Sequence, residues 1–257
     1  MTLAPSMLLV HGVGVGPSAF APLERRLIAQ GLSVVVVHRP GYGRAAERAF
    51  RGVDAQVADL VTAVERLRAE GPVAGLVGVS GGATLALLAA VELTVPVPVV
   101  AHEPLVGPLA PLLHTRVARA VAELDDGAER FVRHLVGEAT WAGLDDADRA
   151  TVVERPELVA AEARAFAAVT PTAEDLATIG RRLTTTVGAR SGPERREAAA
   201  VLASLAGAGA DVVTVDGAGH LAHVDAPDAF AAVITRNLGQ IGPKRAVPAQ
   251  ITEGGRS

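Results

Sequence analysis

Three short stretches of this chain carry side chains suited to acyl chemistry. Gly78-Val79-Ser80-Gly81-Gly82 lies directly after the apolar run VAGLVGV and directly before ATLALLAA. A serine on so tight a strand-to-helix turn takes strained backbone angles, so its neighbours must be small. The amides that open the following helix face the same point and stabilise negative charge there. The plainer alternative is a glycine-rich turn whose serine caps the helix. Further on, VVTVDGAGHLAHVDAPDAF sets His220 in a Gly-rich loop after a strand-like run. A general base there can reach a serine at the same sheet edge, and a surface-loop histidine is the alternative. His223 completes H-x-x-H, but no third ligand accompanies it, which argues against a metal. Finally, LLVHGVGVG puts His11-Gly12-Val13-Gly14 at the end of the first apolar run. Amides of such a loop can join that of Gly81 in holding an oxyanion, or simply form a βα turn. His11 is expected to orient this loop rather than to act as a base.

These residues need a scaffold that brings distant segments to one edge. Short apolar runs alternate with longer segments of helical period, the pattern of parallel βαβ architecture. Strands are predicted at Met7–Val10, Leu32–Val37, Val73–Val79, Val97–Ala101, Thr184–Val187 and Asp211–Val215. Several are apolar at nearly every position, as strands covered on both faces must be. Helices are predicted at Ala19–Gln30, Ala55–Glu70, Ala83–Leu93, Glu194–Ala206 and Asp228–Leu238. The rhythm breaks from Pro104 to about Arg182, where only amphipathic segments occur: Arg116–Leu124, Glu129–Val136 and Pro156–Ala168. Ordinary βα connections run to about 2–6 residues, so this interval reads as a helical cap over the end of the sheet. The predicted organisation is a core of residues 1–103 and 183–241, a cap of 104–182, and a polar, Pro/Gly-rich flexible tail of 242–257.

Composition excludes several classes of function. With 257 residues, 49% hydrophobic and 20% charged, the chain can bury a large core and is not a disordered polymer. A net charge of −4 offers neither a basic footprint for nucleic acid nor a polybasic membrane patch. The absence of cysteine rules out disulfides, thiolate metal sites and a Cys nucleophile, and fits a reducing cytoplasm. The opening MTLAPSMLLVHG lacks the basic and apolar regions of a signal peptide, and no run reaches the ~18 apolar residues of a spanning helix. Cytoplasmic localisation is therefore expected. Richness in Ala, Val, Leu, Gly and Arg with hardly any Lys suggests a GC-rich bacterial genome.

The order of the three pieces, H-G loop, then G-x-S-x-G, then G-x-G-H, resembles the α/β-hydrolase superfamily across nearly the whole chain. HRPGYG at His38–Gly43 is similar to the loop after that family's next strand, and PDAFAAVI to its last helix. The resemblance implies an α/β-hydrolase fold of about six mostly parallel strands, with helices on both faces and a helical cap insertion. Because Met7–Val10 already matches the family's third strand, the usual N-terminal antiparallel hairpin is expected to be missing. The family's acid is commonly an Asp in a G-x-x-D pattern after the penultimate strand. Here that loop reads Gly188-Ala189-Arg190-Ser191, and Ser191 cannot carry the charge. A second arrangement in the family puts the acid after the preceding strand, where VVAHEP delivers Glu103. The resemblance thus favours Glu103 as the acid, ahead of Glu194 and Asp216, with His102 structural or pocket-lining.

On this resemblance Ser80 is the nucleophile, His220 the base, Glu103 the acid, and the amides of Val13 and Gly81 the oxyanion hole. A small-molecule ester, thioester or lactone is the implied substrate, with no cofactor and no metal. LVGPLAPLL and RAFAAV present aliphatic faces, so an apolar pocket is expected; one Trp, one Tyr and five Phe make aromatic stacking a poor basis for recognition. C–C bond hydrolysis and cofactor-free perhydrolysis share the same three residues. Epoxide hydrolysis and dehalogenation fit less well, since those relatives use an Asp nucleophile where this chain has Ser80. A non-catalytic ligand-binding protein on the same fold is a further alternative, strengthened by the missing Asp. An NADP-dependent oxidoreductase is another: HGVGVGPS faintly imitates G-x-G-x-x-G, and Arg39 could meet a 2′-phosphate, although Pro17 occupies the third glycine's place.

Overall fold

The structure is a computed structural model, and it describes residues 3–124 and 127–241. The expected tail, 242–257, lies outside the described residues. Six strands form one sheet: β1 (Ser6–Val10), β2 (Ser33–Val36), β3 (Val73–Val79), β4 (Val99–His102), β5 (Leu183–Gly188) and β6 (Asp211–Val215). The strand order is β2-β1-β3-β4-β5-β6, and every pairing is parallel. The four inner strands are the ones whose sequences are almost uninterruptedly apolar, or, in β5, threonine-rich and buried throughout. The edge strands β2 and β6 are the more exposed. No antiparallel strand accompanies them among the described residues.

Right-handed crossovers decide which helix covers which face. Helix α1 (Ala21–Ala29) packs on α11 (Pro227–Ile241), while α2 (Val53–Glu70) packs on α3 (Gly81–Glu92). Between β4 and β5 the chain forms α4 (Pro111–Ala122), α5 (Ala128–Val136), α6 (Glu138–Gly143), α7 (Asp146–Glu154), α8 (Pro156–Ala168) and α9 (Ala173–Ile179). Helices α5–α8 are the cap-like insertion. Helix α9 instead packs on α3 and on α10 (Pro193–Ala206), in the layer that covers the sheet. No helix of the described residues is long and apolar enough to cross a membrane.

Chain order reverses between β1 and β3, and in open parallel sheets ligands bind at the carboxyl ends of strands beside such a point. The register lines up Val79, His102 and Thr186 across β3, β4 and β5. One step beyond that row lie Ser80 and Glu103. The two strand ends are stitched together by Ser80 N–H donating to the His102 carbonyl (2.9 Å) and Glu103 N–H donating to that of Thr186 (3.1 Å).

The cap is tied to this edge by a buried polar network. Arg39, after β2, donates through Nη1 to the carbonyls of Gly12 (2.7 Å) and His11 (3.1 Å), and through Nε to Gln56 Oε1 (2.6 Å). Its Nη2 pairs with Glu162 of α8, whose other oxygen accepts from the Tyr42 hydroxyl (2.6 Å). Tyr42 Oη in turn accepts from Gly14 N–H (2.9 Å), so one ion pair fixes both the cap helix and the loop after β1. Arg39 and Glu162 are fully enclosed, at 2% and 0% exposure. Removing one partner would strand the other charge in the interior. Glu162→Leu is therefore expected to lower the unfolding free energy by about 3–5 kcal/mol in urea titrations, and a loss below about 1 kcal/mol would contradict this account.

Candidate active site

Ser80 sits where β3 turns into α3, with φ 55° and ψ −127°. The turn is this tight because the backbone of α3 passes close to the strand: a Cβ at Gly78 would strike Gly82 and Ala83, and one at Gly82 would strike the carbonyls of Val10 and His11. Glu103, at the end of β4, is the other non-glycine residue with positive φ among the described residues, at 47°. The left-handed region costs such residues roughly 1–2 kcal/mol, and here it falls on two neighbouring strand ends.

His220 bridges them. Its Nε2 lies 3.0 Å from Ser80 Oγ and its Nδ1 lies 2.8 Å from Glu103 Oε2. With Nδ1 protonated, the ring donates to the carboxylate and offers Nε2 as acceptor to the serine hydroxyl. All three side chains are buried. Glu103 is held further by Gly188 N–H (2.9 Å) and the Ser191 hydroxyl, both donating to Oε1, and by Arg195 Nε at 3.2 Å from Oε2. Ser191, standing where an Asp was expected, thus serves the carboxylate that comes from the other strand.

The electrostatics follow from these contacts. Burial pushes Glu103 up, but the Arg195 charge and the His220 hydrogen bond outweigh it and hold the carboxyl well below the usual range. Burial and the charge of Arg195 lower His220 to about 4, against the opposing pull of Glu103. His220 is therefore a neutral acceptor throughout the neutral range.

The remaining candidates occupy other roles in the structure. His102 joins β5 to the His220 loop: Nε2 donates to the Gly219 carbonyl (3.1 Å), and Nδ1 accepts from the Thr186 hydroxyl (2.9 Å). Glu194 pairs with Arg116 (3.2 Å), and Asp216 is exposed beyond β6, so neither approaches His220 as Glu103 does. His11 Nδ1 donates to its neighbour's carbonyl (3.1 Å) and packs edge-on to Tyr42. His223 is turned into the core and stacked on Phe20 at 4.2 Å, with burial lowering it to about 3. Among the described residues no group of three His, Cys, Asp or Glu could hold a metal ion. Arg39 is enclosed by its own partners and has no face free for a phosphate.

Gly12 packs against Ser80, and Val13 against Gly81. The backbone amides of Val13 and Gly81 donate to no loop or turn carbonyl among the described residues; Gly81 directly follows Ser80, and Val13 lines the same chamber as Ser80. Above the serine a chamber of about 20 Å³ is lined by Val13, Leu105, Val117, Phe131, Leu135 and Ala163 with Arg195 and His220. Leu105 lies in the aliphatic stretch expected to line a pocket. Phe131 and Leu135 come from α5, and Arg195 from the first turn of α10; the sequence signalled α5 only as amphipathic and Arg195 not at all.

Residues 7–233 match the sequence profile described as Alpha/beta hydrolase family. No curated protein matches the chain. Among solved structures, MenH from S. aureus is similar at 17% identity, with a TM-score of 0.72 and coverage of 93% of this chain and 95% of that one. A thermophilic esterase from Thermogutta terrifontis is similar at 19% identity, with a TM-score of 0.73 and coverage of 93% and 91%. The enol-lactonase from Burkholderia xenovorans LB400 shows 20% identity, a TM-score of 0.63 and 91% coverage of each chain. At these identities the likeness is one of fold.

The side-chain electrostatics can be measured without any substrate. In an NMR titration His220 is expected to take up its proton near pH 4, far below 6.5. Glu103→Gln removes the two influences that raise it, so the midpoint should move lower still. A midpoint at or above 6.5, or an upward move in the variant, would show that Glu103 does not face His220 in solution.

Proposed function

The chain belongs to the alpha/beta hydrolase family, and from that premise we propose that it is a serine hydrolase. Its substrate is a small or medium apolar ester, thioester or lactone, cleaved through an acyl-enzyme intermediate. The observation that carries this reading is the unbroken line from Ser80 Oγ through the His220 ring to Glu103.

Ser80 Oγ attacks the substrate carbonyl as His220 Nε2 takes its proton. The carbonyl electrons move onto oxygen, and the resulting oxyanion is held by the amides of Val13 and Gly81 at the positive end of α3. Collapse of the tetrahedral adduct breaks the bond to the leaving group, which receives the proton from His220. A water, deprotonated by His220, then attacks the acyl-serine and returns Ser80 with release of the acid. Glu103 stays ionised throughout, fixing the tautomer of His220 and stabilising the transient imidazolium.

In this reading helices α5–α8, within the 104–182 insertion, cap the core built from 1–103 and 183–241, and α9 of the same insertion belongs to the layer on the sheet. A cavity of about 20 Å³ has room for one water, so an acyl chain enters only when the cap helices shift from Ser80. The apolar lining favours an aliphatic acyl group. The direction of Glu103 toward His220, rather than toward solvent, supports hydrolysis over a non-catalytic ligand-binding scaffold.

A fluorophosphonate probe is expected to label the wild type and to leave Ser80→Ala unlabelled; an unreactive wild type would remove the hydrolase reading. With a turned-over ester, kcat/KM should stay level through neutral pH and fall only as His220 protonates toward pH 4. Glu103→Gln should lower kcat about 10³-fold or more with the fold retained by circular dichroism, and an unchanged rate would assign the acid elsewhere.

A further inference from the structure

The loop after β1 reads His11-Gly12-Val13-Gly14-Val15-Gly16, with a glycine at every second position. Each glycine stands where the backbone meets something that leaves no room for a side chain. A Cβ at Gly12 would lie 2.9 Å from that of Ser80. At Gly14, where φ is 73°, it would lie 2.6 Å from Val132 of α5 and 3.7 Å from Val152 of α7. At Gly16 it would lie 2.6 Å from Asp148 Oδ1. One end of the loop therefore rests on the serine, and the other rests on the cap.

The polar groups of the loop are pinned in the same progression. Arg39 Nη1 donates to the carbonyls of His11 and Gly12, and Tyr42 Oη accepts the Gly14 amide. Because a trans peptide is planar, a Gly12 carbonyl turned to Arg39 sends the Val13 N–H to the opposite side. The far end is held by the cap itself, where Gly16 N–H donates to Asp148 Oδ1 (2.8 Å). Asp148 is 2% exposed and sits in the first turn of α7. In α9 the equivalent residue, Asp175, folds back to accept the amide of Thr172 (2.8 Å) and close a capping box. In α7 the Asp145 side chain accepts the Asp148 amide (2.8 Å), but the Asp148 carboxylate crosses to Gly16 instead. Burial pushes this carboxyl up to about 6, so the contact is kept at a cost to stability.

We propose that Asp148 is a positioning residue for the oxyanion hole: through Gly16 it holds the loop after β1 so that the Val13 amide meets the oxyanion formed at Ser80. The oxyanion role rests on the serine-hydrolase reading above; the hold on the loop does not. The helical residues that line the chamber come from α4, α5, α8 and α10, and none from α7. Loss of Asp148 is therefore felt in the transition state and not in the contacts that bind the acyl group.

The test uses the full chain and para-nitrophenyl butyrate. Asp148→Ala should lower kcat about 10- to 100-fold, short of the roughly 10²–10³-fold lost with an oxyanion donor itself, and leave KM within about twofold. Butaneboronic acid becomes a tetrahedral anion when its boron takes the Ser80 oxygen, and its affinity should fall by the same factor as kcat/KM. Asp148→Asn keeps the acceptor and should retain about half of the wild-type kcat or more. Gly16→Ala displaces the carboxylate and should reproduce the loss, while the double variant Gly16→Ala/Asp148→Ala should be no slower than Asp148→Ala. In backbone NMR spectra Asp148→Ala should shift the Val13 amide resonance as well as that of Gly16. An unchanged kcat, a defect confined to KM, an unmoved boronate affinity or an unmoved Val13 resonance would each overturn the proposal. Should Asp148→Ala fail to fold, a slow Gly16→Ala beside an active Asp148→Asn supports it, and equal rates in those two overturn it. A Val13 resonance that follows Asp148 in a chain inert to fluorophosphonate would instead remove the hydrolase reading and leave the hold on the loop standing.

Discussion

A carboxylate with 1% of its surface in contact with solvent is the constraint on which the rest of this site depends. Left alone, an ionised Glu103 would be expelled from the interior or neutralised by a proton. It stays charged because four donors converge on it, and each comes from a different place: Gly188 at the end of β5, Ser191 in the following turn, Arg195 in the first turn of α10, and His220 from the loop after β6. Satisfying one side chain thus fixes the relative positions of four segments. The left-handed backbone at Glu103 is the local cost of turning the chain so that the carboxylate faces all of them at once.

The same economy appears in the His102–Glu103 dipeptide. One residue fixes the His220 loop through the Gly219 carbonyl, and the next fixes the His220 ring. The backbone between them also supports the turn that carries Ser80, since the His102 carbonyl accepts the Ser80 amide. Asp225 completes the fastening of the loop: it accepts from Gly219 N–H (2.8 Å) and from the hydroxyl of Thr140 in the cap (2.7 Å). The loop that carries His220 is consequently anchored to strand, cap and acid, which is what a ring that must hold two hydrogen bonds in line requires.

Much of this was legible in the sequence, and the reason differs from element to element. Buried parallel strands announce themselves as apolar runs, so β3 falls at Val73–Val79 as expected, and the turn after it is marked by glycines with no other use. Strand β4 extends to His102, one residue beyond the apolar run, because pairing with Thr186 satisfies the backbone of a polar residue as well as an apolar one. Glu103 was reachable only through the absence of an Asp at Ser191. Arg195 was not reachable, because a charged residue in a helix's first turn looks the same whether it faces solvent or a buried acid. Arg39, Tyr42 and Glu162 were hidden for a related reason: their partners lie more than a hundred residues away, and no local period links them.

Two buried arginines divide the work of the site, and their surroundings explain how. Arg39 is saturated by two carbonyls, an amide oxygen and a carboxylate, so it serves as a fastener between cap and core. Arg195 meets one carboxylate that it must share with a histidine, and its Nη1 is buried without a hydrogen-bond partner. Its charge opposes protonation of His220, while Glu103 favours it; the balance leaves the imidazole free to accept a proton.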